Sequence, residues 1–186
     1  MSSDTFPAFV TEKLASIEQL LDRIETLDES HARFQTEREL LLDHLKTDVD
    51  VFQEQPHLLD GKLRPLISKL TDCVLRHAKT SKVKVDLAFA AAYLLTKARG
   101  FKIVFRHLPH EVQHMAPVMS LLSSQDPKDS SNWETKYMLL LWLAILCLIP
   151  MDLKCFDGPD VDVPLSLRFV LMLSPPLTHS SLVFYL

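Results

Sequence analysis

His110-Glu111-Val112-Gln113-His114 fits the pattern HExxH. On one helix face, two imidazoles at that spacing hold a zinc ion and the glutamate acts on its bound water. Glu134 follows as a third-ligand candidate. A zinc-dependent hydrolase built on this motif is therefore one reading. Three observations oppose it. Pro109 puts His110 in the first turn of the predicted helix, where side chains cap more often than they converge. No alternating strand pattern supplies a sheet edge for substrate. Ser131 and Glu134 read as a capping box, which gives Glu134 another role.

Other chemistry is weaker still. The glycines are only Gly61, Gly100 and Gly158, too scattered for a phosphate-binding loop, and no GxSxG elbow occurs. Cys73, Cys147 and Cys155 are odd in number and show no CxxC spacing. Cys73 and Cys147 fall in apolar helical stretches and read as reduced core residues, which fits a cytosolic compartment. The residues thus favour a non-enzyme without catalytic, metal-ligating or cofactor-binding side chains, and binding to a partner becomes the question. Lys97, Arg99, Lys102 and Arg106 form a basic run, and Trp133 and Tyr137 stand four apart at a helix start. These six are the partner-binding candidates, since arginine, tryptophan and tyrosine dominate protein interfaces. No zinc-finger or RNP-type motif accompanies the basic run, so nucleic acid is not the expected partner.

These candidates sit in a chain of 186 residues, 47% hydrophobic, with a net charge of −4. The charge is segregated. Residues 1–60 carry 14 acidic and 5 basic side chains, residues 61–110 carry 2 and 11, and the remainder 8 and 4. That pattern is either a set of solvated helix faces or a basic surface facing an acidic partner. The apolar run 138–149 is too short to span a bilayer as a helix and reads as a buried core helix.

Periodicity supplies the elements. Val10, Leu14, Ile17, Leu21 and Ile24 form one stripe of a helix over 8–27. Phe34, Leu41, Leu45, Val49 and Phe52 mark a second helix over 33–53, after a break near 29–33. A third is expected from Pro56 to about residue 76, with Pro65 kinking it or delaying its start. An alanine-rich helix covers 83–98 and ends at Gly100. Short helices follow over 101–107 and from Pro109 to 122. SSQDPKDSSN is a loop, and the last helix runs from 133 to Pro150. The pairs 56–76 with 83–98 and 109–122 with 133–149 have the size of two-helix repeats. The chain divides into amino-terminal acidic amphipathic helices over 1–53, helical repeats over 54–150, and a divergent apolar tail over 151–186.

Three segments carry a resemblance: FQEQPHLLD at 52–60, TKARGFKIVFRHLPHEV at 96–112, and SNWETKYMLLLWLAILCLIP at 131–150. The spacing of Trp133 and Trp142, the Pro56-His57 and Pro109-His110-Glu111 contexts, and the Ile149-Pro150 stop are its specific marks. Over about 52–157 the chain resembles the amino-terminal part of the tubulin-folding cofactor D family. The resemblance implies an all-α, HEAT/armadillo-type helical solenoid and a chaperone that captures β-tubulin in the cytoplasm. It further implies assembly of the αβ-heterodimer with other tubulin-folding cofactors, a GTPase-activator role in that complex, an Arf-like small GTPase as partner, and association with the cytoskeleton. From Val161 the texture becomes apolar and proline-broken and does not resemble the family's continuation. That stretch reads as the poorly packed end of a truncated or alternatively spliced product, or as a closing helix over 165–173.

Overall fold

The structure, a computed structural model, describes residues 5–126 and 128–150. The expectations for the tail over 151–186, and for Cys155, lie outside the described residues. Seven α-helices are present, and no strand occurs among the described residues. They are α1 (Thr5–Thr26), α2 (Phe34–Asp50), α3 (Asp60–His77), α4 (Lys82–Arg99), α5 (Phe101–Phe105), α6 (Met115–Ser123) and α7 (Trp133–Leu146), with 3-10 turns at Pro56–Leu59 and Val112–His114. The described residues up to Leu148 lie in one compact unit, so α1 and α2 share it with the later helices.

The predicted stripes are the buried ones. Ile17, Leu21 and Ile24 of α1 are buried, while Val10 and Leu14, nearer its start, are half-buried. All five residues assigned to the second stripe are buried. On α3, Leu63, Leu66, Ile67, Leu70 and Val74 are buried, and Pro65 lies inside the helix without ending it. The carbonyl that loses its donor to Pro65 is that of Gly61 in the first turn, close to the end where the ladder is least complete.

The centre of the core is α4, which packs against α1, α2, α3, α5 and α7. Ser81 starts it: its hydroxyl accepts a 3.0 Å hydrogen bond from the Lys84 N–H. Ala88, Ala91, Ala92 and Ala98 are buried, and side chains this small let several helices approach one axis. Gly100 ends α4 at φ 95°, with its N–H donating to the Thr96 carbonyl at 2.8 Å. The helices stack as pairs. α1 packs on α2, α3 on α4 and α6 on α7, while α1 also meets α3, α2 meets α4, and α4 meets α7. Two buried carboxylates bind across this stack. Asp48 of α2 accepts from Lys13 Nζ and Ser16 Oγ of α1, both at 2.6 Å, and Asp86 of α4 accepts from Thr135 Oγ1 of α7 at 2.9 Å.

Part of the segregated charge is paired between neighbouring helices. Lys62 pairs with Glu18, Lys69 with Asp22 and Arg76 with Glu25. The three pairs advance in the same sense along α3 and α1, as neighbouring parallel helices require. Exposed pairs of this kind are each worth only about 0–1 kcal/mol, so they fix the register of the two helices more than they stabilise them.

Four local expectations are corrected. The helix expected from Pro109 starts only at Met115, after the 3-10 turn; Glu111 is extended (φ −90°, ψ 147°), and Val112 is exposed. Proline fixed φ there, but the Pro109 carbonyl accepts from the indole of Trp142 and the segment stays extended. Ser131 does not cap α7. Asn132 takes the N-cap position without a side-chain cap hydrogen bond, and the Ser131 N–H and hydroxyl donate to Asp129 Oδ1 at 2.8 and 2.6 Å. A carboxylate two residues back competes for the same donor groups. Cys147 is exposed rather than core, whereas Cys73 is buried. Finally, the run 138–149 is buried on one side only: Met138, Leu139, Trp142, Leu143, Ile145 and Leu146 face inward, and Leu140, Ala144 and Leu148 are exposed.

Candidate partner-binding surface

Trp133 and Tyr137 come together with a residue that sequence reasoning missed. Tyr93 of α4 stands with its ring 4.6 Å from Trp133 and 5.6 Å from Tyr137, both edge-on, at interplanar angles of 77° and 87°. Edge-to-face pairs at these separations are favourable beyond their buried area. Trp133 remains 46% exposed and Tyr137 36%, so the cluster is fixed from behind and open in front. Tyr93 lay hidden inside the alanine-rich run; its only signal was being the single aromatic on the exposed flank of that helix.

The open cluster continues along α7. Residues 133, 137, 140 and 144 follow one another by three or four positions, which is one helix face, and Leu148 lies in the turn just past its end. Leu140 is 42% exposed and Leu148 71%, with Ala144 also exposed. The opposite face of α7 is the core face, centred on fully buried Trp142. Its indole donates to the Pro109 carbonyl at 2.6 Å and its ring meets Phe89 edge-on at 6.4 Å. Thus α7 is apolar on both sides, and only one side has a partner within the compact unit.

The four basic candidates separate. Lys97 is exposed and follows Tyr93 by one turn on the same face of α4, beside the aromatic cluster. Arg99 is bound internally: its guanidinium donates twice to Asp60 at the start of α3, with Nη2 2.8 Å from Oδ2. That pair holds the Asp60 carboxyl below its ordinary range and pushes the Arg99 guanidinium up. Lys102 is exposed on α5, next to half-exposed Phe101, and Arg106 is exposed at the α5 C-cap.

The HExxH residues do not converge. His110 precedes the 3-10 turn, with Nδ1 3.2 Å from the Leu108 carbonyl; His114 ends it, tilted against Trp142 at 6.0 Å. The Glu111 carboxylate accepts from Gln113 Nε2. Two imidazoles share a helix face only when one helix carries both, and here none does. Among the described residues no group of three or more His, Cys, Asp or Glu is placed to hold a metal ion. No helix of the described residues is long and apolar enough to cross a membrane.

Burial raises three other titrations, one of them that of the Cys147 thiol. Burial pushes the Asp86 carboxyl up against the opposing Thr135 hydrogen bond, and it pushes the Cys73 thiol up to about 11. Both are core groups, well away from a nucleophile's range.

A family model described as tubulin-specific chaperone D-like, ARM repeat, matches residues 49–175. The match takes in α3 to α7 with the aromatic cluster and the exposed face of α7. It also extends through 161–175, so the change of texture at Val161 does not mark the end of the family pattern. No solved structure matches the chain.

Proposed function

The chain belongs to the tubulin-specific chaperone D-like ARM-repeat family, and from that premise we propose that it binds β-tubulin and acts in post-chaperonin tubulin folding. In this reading it is a non-enzymatic assembly factor of the cytoplasm, associated with the cytoskeleton. It joins other tubulin-folding cofactors in building the αβ-heterodimer, contributes a GTPase-activator role to that complex, and engages an Arf-like small GTPase.

One observation carries the capture step: the apolar face of α7 that is left open beside the Tyr93–Trp133–Tyr137 cluster. A stacked-helix protein presents such faces to large partners. Aromatic side chains held rigid from behind give up little entropy when a partner covers them. Lys97 lies where it would steer an acidic partner toward this face, with Lys102 and Arg106 adding to the field; Arg99 adds less because Asp60 already neutralises it.

The test is capture of purified β-tubulin by the full chain. Trp133→Ala and Tyr137→Ala should each weaken binding by about tenfold, the loss of an interfacial anchor worth somewhat over 1 kcal/mol. Leu140→Asp combined with Leu148→Asp should abolish it. Undiminished capture by the double aspartate variant would show that β-tubulin binds elsewhere.

A further inference from the structure

Two arginines of the basic stretch are left out of the internal ion-pair scheme. Lys62, Lys69, Arg76 and Arg99 all have carboxylate partners, but Arg64 and Arg106 have none among the described residues. Both are exposed, and both line one open groove of about 550 Å³ between α3 and the 106–111 segment. Ser68, one turn after Arg64 on α3, faces it, as do His107 and His110 from the other wall. The one acid on the lining is Glu111, already engaged by Gln113.

The far wall is built rather than loose. His107 N–H donates to the Val104 carbonyl at 2.9 Å, Leu108 is buried, and the Pro109 carbonyl is fixed by the indole of Trp142. His110 is tied back to Leu108. The groove therefore presents two guanidinium forks and two imidazoles on two rigid supports, while the Ser68 hydroxyl is directed to Asp72 Oδ2 at 3.5 Å.

That donor set selects oxyanions, since guanidinium pairs with planar carboxylates or phosphates through parallel N–H bonds. The volume falls in the range of ligand-sized sites, of order 300–1,000 Å³, far more than one small anion fills. The lining has no Phe, Tyr or Trp ring, the broad platforms on which nucleobases stack. An extended chain carrying several carboxylates fits both facts.

We propose that the groove between α3 and the 106–111 segment binds an extended acidic peptide segment of a partner, with its carboxylates paired to Arg64 and Arg106. The site is distinct from the α7 face, so it stands or falls separately from tubulin capture there.

The experiment is fluorescence anisotropy with the full chain and a fluorescein-labelled octaglutamate peptide at low ionic strength. Saturable binding is expected, with none for octaglutamine. Arg64→Ala and Arg106→Ala should each weaken it by about three- to tenfold, and the double variant should lose it. Arg→Lys at either position keeps the charge and should recover part of the affinity, with helicity checked by circular dichroism. Lys79→Ala with Lys128→Ala, which removes two charges outside the groove, should change it less than twofold. Failure of octaglutamate to bind would overturn the proposal. Equal losses in the Lys79/Lys128 variant would overturn it too, as would inorganic phosphate displacing the peptide as effectively as unlabelled octaglutamate.

Discussion

Gly61 and Gly100 make a controlled comparison, because a methyl group at either would enter open space. Nothing lies within 4 Å of an added Cβ at Gly61 or at Gly100. Packing therefore drops out, and only the backbone differs. Gly100 sits at φ 95° and ψ 137°, close to a region that only glycine populates freely. Forcing alanine there costs about 1–3 kcal/mol. The stiffer unfolded chain returns about 0.4–1 kcal/mol. Gly100→Ala should therefore destabilise by roughly 1–2 kcal/mol. Gly61 lies in the first turn of α3 with ordinary φ, so Gly61→Ala should stabilise by about 0.5–1 kcal/mol through helix propensity and reduced unfolded entropy. Urea unfolding followed by helical circular dichroism measures both, with an unchanged m-value expected. In a thermal scan each kcal/mol should move the midpoint by about 2–4 °C for a chain of this size. If Gly100→Ala were neutral or stabilising, the α4–α5 junction would not hold its glycine in the positive-φ region, and the reasoning about how α4 ends would fail.

Two further outcomes test the core. Trp142→Ala should cost about 3–5 kcal/mol in the same urea assay, and Trp142→Phe about 1 kcal/mol from loss of the bond to the Pro109 carbonyl; a Trp142→Phe variant as stable as the parent would deny the indole N–H a role. Burial holds the Asp86 carboxyl above its ordinary value, so the folded state binds its proton more tightly. Stability from this site is then full at low pH and falls as pH rises from the unfolded value through the raised folded one. Asp86→Asn keeps an acceptor for Thr135 and removes the charge. The variant's stability relative to the parent should rise across that window, and a difference that is flat with pH would contradict the burial argument.

Much of the fold was legible because helices announce themselves locally. The steps of three and four from Ile17 to Ile24 and from Leu63 to Val74 predict both the helices and their buried faces. Gly100 likewise marks the end of α4, since a positive φ demands its residue type whatever lies around it. Trp133 and Tyr137 stood four apart in the sequence as candidates for core or interface, and their shared partner Tyr93 was not recognisable, because the contact joins α4 to α7 across some forty positions of chain.

What the residues settled by themselves is therefore local: that the stretches of α1 to α4 are helical, that α4 stops at Gly100, and which side of an amphipathic helix is apolar. Tertiary structure decided the rest. From Met138 on α7 is wholly apolar, so that part of its sequence held no record of which side would face the core and which would stay open with Leu140 and Ala144, and with Leu148 just past the helix. The basic stretch had the same charge whether solvated, paired or poised for a partner. Only the parallel placement of α1 beside α3 neutralised Lys62, Lys69 and Arg76 and left Arg64 facing the groove with Arg106. HEVQH had the spacing of a metal site, but spacing becomes geometry only on a continuous helix, and the bond from Trp142 to Pro109 accompanies an extended segment there instead. Pairings between distant residues depend on how helices stack, and stacking is set by the shapes of whole faces rather than by any residue's neighbours in the chain.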